Sequence, residues 1–136
     1  MSKRRIAISL VVLSILTLSA CVFPQQEPAE PGRLDGTYYV NGVDPEGKDY
    51  SGQLIITPTD RPNRYEMSWI ITGAIQSGTG RLQGTTLEAE WSSIEGQPEA
   101  AGTATYQWQD DGSLIGERVV QGLGVATEEA LPVTLR

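Results

Sequence analysis

Beyond Leu34, apolar side chains recur at every second position, which is the period of a strand and not of a helix. Tyr65, Met67, Trp69 and Ile71 alternate with Glu66, Ser68 and Ile70. Leu87, Ala89 and Trp91 alternate with Glu88, Glu90 and Ser92, and Ala104, Tyr106 and Trp108 with Thr105, Gln107 and Gln109. Successive side chains of a strand point to opposite faces, so each run buries one face and wets the other. No stretch of comparable length carries the helical period.

Turn chemistry separates the runs. DPEGKD at 44–49, PTDRPN at 58–63, LQGTT at 82–86, IEGQPE at 94–99 and DDGS at 110–113 supply the Asp, Asn, Gly and Pro that turns require. The spacing predicts strands over 36–42, 51–57, 64–72, 76–83, 86–93, 101–109, 113–120 and 129–135, with Thr127-Glu128-Glu129 opening a short turn before the last. Glycines recur at strand starts, in GTYYV, GQLII, GTGRL and GTATY, and one lies inside LIGERVV. Such glycines permit the sharp coiling of a small closed sheet. The expected fold is all-β: an eight-stranded antiparallel up-and-down meander, as a small barrel in preference to a sandwich of two sheets.

The first twenty residues have another character. Lys3, Arg4 and Arg5 precede an apolar run from Ile6 to Leu18. That run has the length of an export signal and falls short of the about 20 residues a membrane span needs. Leu18-Ser19-Ala20-Cys21 then resembles the lipobox of bacterial lipoproteins, with the chain's one cysteine at its end. The resemblance implies that Cys21 receives a diacylglyceryl group on sulfur and becomes the first residue of the mature protein. It also implies anchoring on the outer side of the cytoplasmic membrane. Val22 after the cysteine favours the outer membrane in a cell that has two. Two or more acyl chains give stable anchoring where one gives only marginal binding.

The expected organisation is a signal peptide over 1–20, a lipidated cysteine and tether over 21–33, and one β domain over 34–136. The tether holds Pro24, Pro28 and Pro31 among Gln and Glu. Such a composition builds no core, and at about 3.1 Å per residue it spans roughly 35 Å.

Charge and absences narrow the function. All 17 acids follow Cys21, whereas three of the 10 bases precede it, so seven bases face seventeen acids in the mature chain. An acidic surface of this kind repels nucleic acid. The chain has no histidine, and a lipidated Cys21 is no free thiol. Ser-His-Asp and Cys-His catalysis and zinc sites built on His or Cys are therefore excluded. The domain's single lysine, Lys48, stands in no phosphate-binding loop. Neither a cofactor motif nor a metal motif is present.

LDGTYYVNG, followed by Trp-bearing strands, is similar to the opening of small calycin-like barrels of the avidin and lipocalin kind. The domain also resembles small secreted bacterial β proteins, some of them described as fibronectin-binding. The lipocalin Gly-x-Trp is Gly36-Thr37-Tyr38 here. The resemblance implies a barrel, with a small apolar ligand as one candidate occupant.

Trp69, Trp91 and Trp108, with Tyr65 and Tyr106, share the parity of the apolar faces. They either fill the barrel or line a ligand cavity. Glu88 and Glu90 stand two apart on one face, a spacing that suggests carboxylate hydrolysis. That face points away from Leu87, Ala89 and Trp91, toward water. Asp44, Glu46 and Asp49 crowd one loop without the spacing of an EF-hand and read as a turn. The leading expectation is an anchored, non-catalytic lipoprotein whose β domain binds a macromolecular partner, as an inhibitor, adhesin or assembly factor does. A carrier of a small apolar ligand and a carboxylate-dependent hydrolase are the alternatives.

Overall fold

The structure, a computed structural model, describes residues 32–96 and 100–133. The segment 1–20, Cys21 and the tether up to residue 31 lie outside the described residues. Eight strands follow one another: β1 (Gly36–Val43), β2 (Asp49–Pro58), β3 (Arg64–Ile71), β4 (Ala74–Gln83), β5 (Thr86–Gly96), β6 (Ala101–Trp108), β7 (Leu114–Val120) and β8 (Gly124–Pro132). Each pairs antiparallel with the next, and β8 returns to pair with β1, Tyr39 facing Leu131 and Asn41 facing Glu129. That last pairing closes the sheet into a barrel and excludes the sandwich. Among the described residues every strand pairing lies within 36–132.

The first seven strands lie within three residues of the positions the alternation predicts. The eighth does not. It runs over 124–132 instead of 129–135, and Thr127-Glu128-Glu129 is its middle, not a turn. The chain turns earlier, at 121–123, where the Leu123 amide donates to the Val120 carbonyl. Two adjacent glutamates look like solvated turn residues, yet Ala126, Glu128 and Ala130 form the inward row of a strand. An acid at an inward position masks the period.

The interior is occupied by side chains. Tyr38, Leu54, Trp69, Leu87, Tyr106 and Leu114 are completely buried, and Leu34, Val40, Ile56 and Met67 nearly so. The chain enters at one end of the barrel, beside the turns at 59–63, 84–85 and 109–113. Leu34 plugs this entry end, and the Tyr38 hydroxyl donates to the Leu34 carbonyl at 2.5 Å. The far end carries the turns at 44–48, 72–73 and 121–123.

Turn chemistry fixes the hairpins. Asp44 Oδ1 accepts from the backbone amides of Glu46 and Lys48, at 2.9 and 2.8 Å. Asp111 Oδ1 accepts from the Ser113 amide and hydroxyl, and those bonds hold its carboxyl below the usual range. Gly112 beside it takes φ 86, a left-handed conformation that side chains disfavour.

Candidate functional site

Toward the far end the barrel encloses charge. Arg118 on β7 and Glu128 on β8 point inward, with side chains 3% and 0% exposed, and their nearest nitrogen and oxygen are 3.4 Å apart. Burying such a pair costs several kcal/mol per ion unless hydrogen bonds replace the lost water. For Glu128 the replacement is extensive. Its Oε2 accepts from the Tyr50 hydroxyl at 2.6 Å and its Oε1 from the Tyr106 hydroxyl at 2.5 Å. Trp69 Nε1, at 3.2 Å, donates to the same Oε1.

Arg118 is held by rings and an amide. Its guanidinium lies between Trp69 and Trp91, 4.7 and 4.3 Å from their centroids, an arrangement in which both ring faces attract the cation. One terminal nitrogen donates to Gln76 Oε1, while Nε is buried without a partner. Trp91 Nε1 donates to the Thr103 carbonyl at 3.2 Å.

Register explains how these groups meet. Glu128 lies between Gly42 on β1 and Gly116 on β7, and Gly116 faces Tyr106 on β6. The Tyr50 ring occupies the space a Cβ at Gly42 would need, so only glycine there lets the hydroxyl reach Glu128. Both hydroxyls resist ionisation. Burial pushes the Tyr50 and Tyr106 pKa values up, and the neighbouring Glu128 charge adds to the effect. The pair thus stands as a carboxylate ringed by neutral donors and a cation between two aromatic faces.

Of the five aromatic residues singled out by parity, Trp69, Trp91 and Tyr106 come together in this cluster. Trp108 and Tyr65 do not. Both are partly buried against the core, Trp108 beside Leu114 and Tyr65 beside Gly80. Glu88 and Glu90 are exposed on the outer wall. Among the described residues Glu128 is the one buried carboxylate. Sequence reasoning missed Arg118, Glu128, Gln76 and Tyr50. Parity carries the signal for Arg118, which stands four after Leu114 in the same inward row, with Gly116 between them.

No family model and no curated protein matches the chain. Solved structures do. A redesigned β barrel, mFAP1, bound to DFHBI, is similar over 72% of this chain and 94% of its own, with a TM-score of 0.64 and 14% identity. A de novo designed fluorescence-activating β barrel is similar over 73% of this chain and 93% of its own, with a TM-score of 0.58 and 18% identity. At such identities the likeness is one of fold: a small closed antiparallel barrel.

Proposed function

We propose that this protein is a lipid-anchored, extracytoplasmic binding protein without catalytic activity, whose barrel engages a macromolecular partner through its outside. The anchor rests on Leu18-Ser19-Ala20-Cys21 behind an apolar run. Cys21 carries the lipid, on the outer side of the cytoplasmic membrane or on the outer membrane where there are two. Attachment at the entry end leaves the wall and the far end free for the partner.

The observation that carries the outside-binding reading is the occupied interior. Trp69, Trp91, Tyr106 and Arg118 interlock where a carrier would hold its ligand. A catalytic carboxylate needs room for substrate and a second acid or base, and Glu128 is already committed to its donors. The carrier is the second reading, because a barrel of similar fold is described as bound to DFHBI.

Two measurements test the proposal. Mass spectrometry of membrane-extracted protein should find Cys21 amino-terminal and acylated, and Cys21→Ala should leave the precursor uncleaved at that bond. An unmodified Cys21 in mature protein would refute the anchor. Tryptophan fluorescence should show no saturable quenching by small apolar compounds; saturable quenching moves the protein to the carrier class.

A further inference from the structure

The two ends of the barrel differ in what they show to water. At the far end the turn between β7 and β8 leaves Leu123 72% exposed. Val119 and Val125, direct cross-strand neighbours beside that turn, are 45% and 48% exposed. Side chains opposite one another on a face lie about 5 Å apart, so the valines form one surface next to the leucine. Val43 on β1 faces Thr127 and stands diagonal to Val125, extending the patch across the barrel seam. Charge around this patch is almost all of one sign. Glu117 stands two residues before Val119 on the same face of β7. Glu46, Asp49 and Glu95 are exposed at the same end, and Asp44 is half-buried there. Among the described residues the exposed cation at this end is Lys48, 3.8 Å from Glu46. The other exposed cations, Arg33, Arg61, Arg64 and Arg81, lie toward the entry end, among acids that include Asp60 and Glu88.

We propose that the far end docks a protein partner whose contact surface carries an apolar centre inside a basic rim. Docking there rests on engagement through the outside of the barrel, and it adds the face and the partner's chemistry. Charge selects the occupant. A second copy brought far end to far end sets acid against acid. Anionic lipid and nucleic acid are repelled in the same way. The C-terminal residues do not reach the patch. The Val133 amide bonds to the Thr37 carbonyl at the entry end, and three further residues span about 10 Å at most. Val43, at the other end of β1, lies about 20 Å away. A basic rim supplies the counter-charges that Glu46, Asp49, Glu95 and Glu117 lack, and an apolar centre covers Leu123 and the valines. An anchor joined at the entry end would hold this face away from the membrane, toward an arriving partner.

The fragment 32–136 contains every strand pairing described and no cysteine, so it tests the face apart from the membrane. The probe is a short amphipathic peptide of Lys and Leu, with an oligolysine of equal charge and a Glu/Leu peptide as controls. Titrated into the isotope-labelled fragment, the Lys/Leu peptide should shift the amide resonances of Val119, Leu123 and Val125 saturably and leave those of Asn63 and Gly84, at the entry end, in place. Oligolysine should bind at least about tenfold more weakly. The Glu/Leu peptide should not bind. Leu123→Ser with Val125→Ser, at exposed positions, should keep the β spectrum and weaken association about tenfold. Glu117→Gln with Glu95→Gln should weaken it at low salt and change little at high salt, where screening already removes the attraction. Equal binding of oligolysine or of the Glu/Leu peptide overturns the proposal, and so does undiminished binding by the serine variant. A titration without saturable shifts, or with shifts centred on the β1–β4 wall, overturns the far-end face and leaves engagement through the outside standing. Shifts centred on the Trp69 and Trp91 indoles overturn both.

Discussion

Near the entry end the barrel is filled by Leu34, Leu54, Ile56, Met67, Leu87 and Leu114; toward the far end it is filled by Arg118, Glu128, Gln76 and the rings that hold them. The first group gains from leaving water, about 1.5–3 kcal/mol for each large side chain. The second loses hydration and recovers it through hydrogen bonds and cation–π contacts of fixed geometry. The apolar end is therefore tolerant of exchange and intolerant of voids. The polar end tolerates coordinated replacement and penalises the loss of one partner.

That contrast is open to direct attack. Arg118→Met alone strands a buried carboxylate and should destabilise the domain by about 3–5 kcal/mol in urea unfolding. Adding Glu128→Leu should recover only part of the loss, because the stranded charge is gone but the Tyr50 and Tyr106 hydroxyls and Trp69 Nε1 lose their acceptor. If the double variant is as unstable as the single, the network is worth more than its charges. Leu114→Ala should cost about 2–5 kcal/mol from the void it leaves, and no second polar change should rescue it. Tyr50→Phe removes one donor to Glu128 at the edge of the cluster and should cost about 1.5–3 kcal/mol.

Alkali is expected to have a gentler effect. The Tyr38, Tyr50 and Tyr106 pKa values are raised in the fold, mainly by burial. Above about pH 10 the unfolded chain releases tyrosine protons that the folded chain keeps. Stability from these groups is thus complete below about pH 10 and declines as pH rises above it. A thermal midpoint unchanged well above that pH would mean the hydroxyls are freer than their burial implies. The smallest effect belongs to the 109–113 turn. The Asp111 carboxyl is held below its usual range, so its contribution is present near neutral pH and fades in acid. Asp111→Asn should remove that acid dependence with little other change.

Seven strands were legible because most of their inward residues are apolar, despite Gln76 on β4 and Arg118 on β7, and their turns carry Asp, Asn, Gly or Pro. The eighth was not, since Glu128 sits where an apolar residue belongs and resembles solvated turn sequence. The same fact hid the site. Period-two reasoning assigns a polar residue outward unless its partners are known, and Tyr50 and Tyr106 come from strands distant in sequence. Trp69, Trp91 and Tyr106 were found by parity, but their role as clamp and donors required Arg118 and Glu128 in place. Tyr65 and Trp108 share the parity and yet lie toward the entry end, because parity fixes the face of a strand and not the height along the barrel.

The pairing of β1 with β8 joins the two extremes of the domain's sequence. Neither β1 nor β8 completes its hydrogen bonding until the other arrives, so the seam waits for the last strand to emerge. Contacts of such sequence separation make folding slow, and until the seam shuts, both terminal strands offer unpaired backbone to any neighbouring chain. Loss of a few residues from β8 would therefore do more than shorten the protein. It would make that vulnerable interval permanent, leaving two open edges and exposing the Glu128 cluster to water.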